Sequence, residues 1–554
     1  MTAFRLPAPL HPDAPVGSPI TITHDGRRVE ACDTEPIAVS LLAAGVPVLS
    51  RSFRFHRPRG LMCSTGQCGW CECRVDDRPG ARTCTLAGVE GMEVRSEHSW
   101  PTARHDLFGL LDLGSRWVPN TFYHHRFLRP RAARKLYLEV LRRFGGRGRL
   151  TPGGVGPIRP RPTVERAVDV AVVGGGPAGM LAALGASDAG ASVLLLEAAA
   201  ALGGSWRWRT EPSPIAESAG DLVARVRADA RIELLTDTTV LGRYGEMLGA
   251  IGPDAQMRIV ARTVVAATGS YERVPRVPNN DRPGIMGART VEWLINAFGV
   301  VPGRRCAVLT GGADAQRVSD LLRGTGARVD DVAELHGIGG RDRVRSVVIG
   351  AAGRRRRLRA DLLVFDARSA NLDLAISAGA AIESRPTGDL GARLDPAGWT
   401  SAPGLAMVGA CAGRPIDDGA AAAAAQETGR MAASAPRAAL PSSDGTAPSA
   451  PWPAGVESSQ SAPESAFVCF CEDVRGRELT EELRSGGTDP EILKRRTAVL
   501  TGPCQGKYCL HSYAATINSN VDSLPEWALP TGRPPLRPVR LADLVQDGSP
   551  DADR

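Results

Sequence analysis

The stretch Val170-Ala-Val-Val-Gly174-Gly-Gly176-Pro177-Ala178-Gly179 leaves a chain few ways to fold. Its glycines fall as G-x-G-x-x-G between an apolar strand pattern and an Ala-rich helical one. In that setting the glycines permit a tight turn, close approach of backbone to a pyrophosphate, and close packing of helix on strand. A second apolar run, Val193-Leu-Leu-Leu, ends at Glu197, eighteen residues after Gly179. A carboxylate there takes ribose hydroxyls and disfavours a 2′-phosphate. The expectation is a βαβ unit holding a dinucleotide at its helix N-terminus, with Gly174, Gly176, Pro177, Ala178, Gly179 and Glu197 around it.

One such unit does not account for 554 residues, a length that suggests three or four domains. With 43% apolar and 23% charged residues the composition is that of a globular protein. The net charge of +7 is small for this length, and no nucleic-acid reading motif accompanies it. Nucleic acid is therefore not an expected partner. Most arginines read as solvated; Arg354 to Arg357 read as an exposed strand or turn, and the basic run from Arg126 to Lys135, with Arg142, Arg143, Arg147 and Arg149, could hold an acidic surface. The first residues lack the apolar core of a signal peptide, and no stretch approaches 18 uninterrupted apolar residues. A cytoplasmic protein without a transmembrane segment is expected.

Twelve cysteines in such a protein point to metal ligation rather than disulfides. Cys63, Cys68, Cys71 and, twelve residues later, Cys84 give C-x4-C-x2-C…C, the ligand spacing of plant-type [2Fe–2S] ferredoxins. Gly66 and Gly69 let the loop wrap closely. Zinc takes the same ligands but normally pairs two C-x2-C knuckles. Upstream, residues 19–30 alternate about Asp25-Gly26 as a β-hairpin, and a helix is expected around Ala38 to Ala44. Cys32 and Cys73 are left as packed thiols, and His56 as a loop hydrogen-bonder. Cys469, Cys471, Cys504 and Cys509 form a second group, C-x-C…C-x4-C, whose chemistry suits [2Fe–2S] or zinc equally.

Gly203-Gly204, and later Thr268-Gly269, resemble the paired flavin motifs of the two-dinucleotide-binding flavoproteins, so FAD is favoured in the first site, with NAD as the alternative. Gly409 lies where that superfamily has a further flavin contact, but Ala410 stands in place of the usual Asp. In a second, weaker unit Thr310, Gly312 and Ala315 occupy the fingerprint positions and Asp314 stands where phosphates would lie. A carboxylate beside a pyrophosphate is repulsive, so this lobe reads as a retained fold with weak or lost NAD binding.

The second cysteine group, with Cys469-Phe-Cys-Glu-Asp-Val and Gly502-Pro-Cys-Gln-Gly-Lys-Tyr-Cys509, resembles bacterioferritin-associated-ferredoxin-type [2Fe–2S] modules. Ser52–Gly60, Val118-Pro-Asn120, Asn279–Met286 and Arg533–Pro538 extend the likeness. Over nearly its full length the chain resembles α subunits of heterotetrameric sarcosine oxidase and their relatives in amino-acid dehydrogenases, opine oxidases and hydrogen cyanide synthase. Sarcosine oxidase α subunits largely lack the cysteines, whereas all eight are present here, so the sequence is closer to the iron–sulfur dehydrogenase branch. In hydrogen cyanide synthase the ferredoxin part is separate; here it is fused.

The resemblance implies a multi-domain α/β fold: an N-terminal β-grasp ferredoxin-like domain (1–100), a connecting arm (101–165), and a two-dinucleotide-binding Rossmann-type flavoprotein core. That core comprises an FAD domain (166–290 and 400–435) and a degenerate lobe (291–399). A disordered Ala/Pro/Ser linker (436–466), a small helical [2Fe–2S] domain (467–520) and a tail (521–554) follow. The implied function is the electron-carrying subunit of a hetero-oligomer, an oxidoreductase acting on a C–N bond. Its partner would be an amine-oxidising flavoprotein of the sarcosine oxidase β or D-amino-acid oxidase kind. A flavin between two one-electron clusters would convert two-electron to one-electron transfer. No catalytic acid, base or nucleophile is expected in this chain. An NAD(P)H-dependent reductase and a non-catalytic nucleotide-binding scaffold are the rival readings.

Overall fold

A computed structural model describes residues 4–112, 114, 130–144, 160–210, 214–351, 354–384, 389–435, 463–487, 489–520, 529 and 532–545. The resemblance segment at 118–120, nearly half of the connecting arm, nearly all of the proposed linker and much of the tail lie outside those residues, as do Arg126, Arg147 and Arg149. The chain forms two compact units. One comprises 1–155, 272–367 and 453–528, the other 156–271, 368–452 and 529–554.

In the first unit a five-stranded sheet runs in the order Arg27–Cys32, Pro19–His24, Glu93–Ser96, Glu72–Val75, Arg78–Arg82. The first two strands are the expected hairpin, turning through Asp25 and Gly26 at φ of 47° and 78°, the left-handed pair that two-residue hairpin loops require. Pro19–His24 pairs in parallel with Glu93–Ser96. Helix Ile37–Ala43, close to its expected position, buries six of its residues. This mixed sheet with one short helix is the β-grasp arrangement.

The same unit holds a parallel sheet in the order Ile285–Gly287, Leu362–Phe365, Arg305–Leu309, Arg328–Val332, with helices Ala288–Phe298 and Ala313–Gly324. Most of this sheet falls within residues 291–399, and helix Ala313–Gly324 follows the weaker fingerprint at Thr310. Arg354 to Arg357 lie exposed on strand Arg354–Arg359, at the edge of a three-stranded antiparallel sheet. The hairpin of Phe467–Cys469 and Val474–Arg475 leads into helices Gly476–Arg484, Pro490–Thr497 and Leu510–Asn518, which close on a core containing Leu479, Leu493, Val499 and Tyr513.

The second unit is built on a seven-stranded sheet. Ile232–Leu235, Val193–Leu196, Thr163–Val173 and Gln256–Ala266 run parallel, Met247–Ile251 and Thr239–Tyr244 extend one edge antiparallel, and Leu405–Met407 also pairs with Gln256–Ala266. Helix Pro177–Asp188 packs on helix Gly419–Ser434 through small residues. A methyl group on Gly185 would fall 2.0 Å from the Gln426 carbonyl oxygen, and one on Gly429 2.0 Å from that of Ala182. Backbones this close explain the alanine-rich composition of both helices. Among the described residues no helix is long and apolar enough to cross a membrane.

Candidate functional site

The first cysteine group lies on the loop after Pro58–Arg59 and just beyond strand Arg78–Arg82. Cys63, Cys68, Cys71 and Cys84 are all buried. Gly66 and Gly69 take φ of 70° and 74°, so the loop curls and points backbone donors inward. The Cys68 and Trp70 N–H groups each lie 3.4 Å from a sulfur, those of Cys63 and Cys68 respectively. Burial opposes ionisation of Cys63, yet hydrogen bonds from Cys68, Cys84 and the Thr65 and Cys68 backbone hold its thiol well below the usual range. Burial pushes Cys68 up. Buried thiols that share protons and receive N–H donors suit a cluster that requires thiolates. Cys73 packs with its thiol on the Leu49 carbonyl at 3.5 Å, while Cys32 is only half-buried, 3.3 Å from the Thr34 hydroxyl. His56 Nδ1 lies 2.9 Å from the buried Asp106 carboxylate, in the loop-bonding role expected of it.

The second group closes into a ring of contacts: Cys469 with Cys471 and Cys509, and Cys504 with the same two. Gly502 makes room, since a Cβ there would lie 2.2 Å from that of Cys471. Both sets fit a cysteine-ligated cluster by donor chemistry. Among the described residues no group of three or more His, Cys, Asp or Glu is arranged to hold a single metal ion.

The two sets are neighbours. Cys471 Sγ is 3.9 Å from the Cys68 carbonyl oxygen, and Trp70 meets Phe470 edge-on with ring centroids 5.3 Å apart. Arg82 donates to the Pro503 carbonyl at 3.3 Å. In sequence the nucleotide fingerprint separates the two cysteine groups; in space they adjoin directly.

A buried ion network joins the same segments. Arg57 binds Asp281 through Nε and Nη2 at 2.6 and 2.7 Å, Arg59 reaches Asp281 and Asp473 at 2.6 Å each, and Arg54 reaches Glu478 at 2.6 Å. Asn280 exchanges hydrogen bonds with the Phe467 backbone at 3.0 and 3.1 Å. Sequence reasoning assigned none of these residues a role, and the only signal was that they lie in, or beside, the resemblance segments.

In the second unit, Gly174 (φ 112°) ends its strand, and helix Pro177–Asp188 starts after Gly176. A Cβ on Gly174 would meet the Ala267 carbonyl oxygen at 2.4 Å, and one on Gly179 the Gly174 carbonyl oxygen at 1.9 Å. One on Gly176 would meet nothing closer than the Gly204 Cα, at 3.9 Å. Two glycine turns thus face a gap that a side chain would fill, the cradle a pyrophosphate needs. Glu197 accepts from the Gly175 and Ala199 N–H groups at 2.7 Å each, which brings its carboxylate to the turn. Thr268 and Asn371 exchange hydrogen bonds, fixing the turn at Gly269. Gly409 (φ 69°) abuts Ala178, so the late segment reaches the fingerprint helix although Ala410 carries no carboxylate. Arg207, lowered by partial burial and influenced by Glu197, is a further cation near this site that sequence reasoning missed.

The degenerate lobe's helix N-terminus is occupied by the chain's own carboxylates. Asp366 accepts from the Ala315 N–H at 3.1 Å, and Asp314 pairs with Arg317 at 2.8 Å. The cavity beside Gly311 and Gly312 is about 20 Å³, room for about one water. A pyrophosphate approaching this helix would meet both carboxylates.

Residues 17–99 match the family described as 2Fe-2S iron-sulfur cluster binding domain, 169–232 that of FAD dependent oxidoreductase, and 463–547 the sarcosine oxidase A3 domain. The alpha subunit of sarcosine oxidase from Rhizobium meliloti (strain 1021) is 30% identical over 371 residues, covering 62% of this chain and 37% of that protein. An opine oxidase subunit from Agrobacterium tumefaciens (strain Ach5) is 24% identical over 463 residues, covering 68% of this chain and 91% of that one. The chain is thus similar to sarcosine oxidase alpha subunits over the part they share, and its residues 17–99 match a 2Fe–2S domain. It spans about a third of the length of the sarcosine oxidase subunits it matches. The structure of L-proline dehydrogenase from P. horikoshii matches 98% of this chain and 100% of its own, with a TM-score of 0.69 at 22% identity. That likeness shows the fold alone, an α/β architecture shared over nearly the whole chain.

Proposed function

We propose that this α-subunit-like chain is the electron-carrying subunit of a hetero-oligomeric amine or amino-acid oxidoreductase. A partner flavoprotein subunit oxidises the C–N bond, and this chain receives the electrons. The observation that carries the reading is the adjacency of two four-thiol sets, Cys68 to Cys471, with every thiol but that of Cys471 buried, in a chain that also holds a dinucleotide cradle. Such sets have little use in a scaffold.

Cys63, Cys68, Cys71 and Cys84 would hold one [2Fe–2S] cluster and Cys469, Cys471, Cys504 and Cys509 a second. Gly174, Gly176, Gly179, Glu197, Gly203, Gly204, Thr268, Gly269 and Gly409, with Pro177 and Ala178, would hold FAD. Bound, these groups supply two-electron storage on the flavin and one-electron steps at the clusters. The chain's own residues hold them: N–H groups of Cys68 and Trp70 favour thiolate, and Gly176 and Gly204 leave the cradle open. The relatives' names refer to sarcosine, opines and proline, which share a C–N bond beside a carboxylate, and that is the substrate class proposed for the complex.

The test is anaerobic purification of the chain without any partner, followed by NADH or NADPH with the visible absorbance monitored. No bleaching, in a sample that dithionite does bleach, is the expected result. Rapid bleaching by either nucleotide would replace this reading with a reductase.

A further inference from the structure

Resting on that reading, we infer that the cavity where the two cysteine sets meet binds an uncharged two-electron acceptor of the quinone class. The cavity measures about 310 Å³ and is lined by one cysteine from each set, Cys68 and Cys471, together with Trp70, Phe470 and Phe53. Small-molecule pockets begin at roughly this size, about 300 Å³, so a one- or two-ring molecule fits and a whole dinucleotide does not.

The lining also carries Arg51 and Arg59, opposed by Glu72 and Glu472, so it favours no net charge. Both guanidinium groups are already bonded. Arg59 holds Asp281, Asp473 and the Phe470 carbonyl, and Arg51 holds the carbonyls of Ala103 and His56. A phosphate or carboxylate would have to compete with these partners. A planar ring with carbonyl oxygens needs only aromatic contact and one or two shared donors.

Contact with both sets matches a two-electron acceptor. Clusters held by Cys63, Cys68, Cys71 and Cys84 and by Cys469, Cys471, Cys504 and Cys509 would each supply one electron, and the quinone would take both, with two protons from water, and leave as hydroquinone. With one thiol of each set, Cys68 and Cys471, on the cavity wall, both electrons would reach one bound acceptor without a second encounter.

Menadione, a two-ring quinone, is the probe. Isothermal titration of the full chain, reconstituted anaerobically with iron and sulfide, should show saturable binding near one per chain, weakened at least tenfold in Phe53→Ala. In the dithionite-reduced and desalted chain, two equivalents of menadione, matching the four electrons that two clusters and a flavin would hold, should abolish the reduced-cluster EPR signals. Phe53→Ala should slow that reoxidation at least tenfold while leaving reoxidation by ferricyanide, which needs no pocket, unchanged. Absence of saturable binding to a chain carrying both clusters, or equal effects on the two oxidants, would overturn the acceptor site alone. A chain that takes up no iron–sulfur cluster would overturn the electron-transfer reading and this site with it.

Discussion

Asp281 receives Nε and Nη2 of Arg57 side by side, at 2.6 and 2.7 Å, with the carboxylate wholly buried and the guanidinium only 3% exposed. Arg59 approaches the same carboxylate from a third direction and passes on to Asp473, two residues past Cys471. Opposite charges hold the Asp281 carboxyl far below the usual range against the opposing effect of burial. Removing one partner from such a set leaves charge buried without compensation, which costs about 3–5 kcal/mol. Asp281→Asn is expected to lower unfolding stability by that order in urea titrations and to lose iron preferentially from the second cysteine set. A change below about 1 kcal/mol, the range of exposed ion pairs, would show that the network is not structurally important.

What could be read in the sequence was local chemistry. The Asp25-Gly26 turn, the glycine fingerprint and the cysteine spacings each depend on residues a few positions apart whose geometry is dictated by φ or by ligand reach. The adjacency of Cys68 and Cys471 spans 403 positions, and no pattern within either segment announces it. Arg54, Arg57 and Arg59 illustrate a second limit. Composition reads arginine as solvated, yet each of these is 3% exposed because a partner 222 to 424 positions away compensates its charge. The carboxylates at the second lobe's helix N-terminus were half legible: Asp314 was visible, but Asp366, which caps the same helix, was not.

Glu272 is half-buried, and its removal from water pushes its carboxyl up to about 7, with Thr290 as its hydrogen-bond donor at 3.0 Å and the Cys63 charge adding to the rise. The folded chain therefore keeps a proton that the unfolded chain releases near pH ~4.3. This contribution is fully present below that pH and is lost as pH rises through about 7. Glu272→Gln, which cannot ionise, should remove that part of the pH dependence, so its stability relative to wild type should improve between pH 5 and 8. Urea midpoints that shift in parallel for both proteins would rule out Glu272 as the source.

Each cysteine set offers four thiols, enough for a binuclear cluster. The complete chain is expected to carry about four iron atoms and four acid-labile sulfides. Cys504→Ala should halve both and leave the visible spectrum of the first cluster, while Cys71→Ala should do the reverse. Zinc in place of iron after anaerobic expression, at either set, would contradict the electron-carrying role of that set.

Gly176 and Gly179 belong to one fingerprint but should fail differently when changed to alanine. At Gly179 the new methyl group would sit 1.9 Å from the Gly174 carbonyl oxygen, so strand and helix must part. Overpacking of that kind costs about 1–3 kcal/mol or more, and Gly179→Ala should reduce the yield of folded chain. At Gly176 the methyl group has 3.9 Å to the Gly204 Cα and the backbone is at an ordinary negative φ of −76°, so the fold should persist. What the methyl group occupies is the gap between the two glycine turns, where the pyrophosphate of a dinucleotide would approach the helix N-terminus. Gly176→Ala should therefore unfold at the wild-type urea midpoint yet bind FAD at least tenfold more weakly, measured by flavin fluorescence on release. Full flavin retention in a folded Gly176→Ala chain would move the cofactor away from this turn.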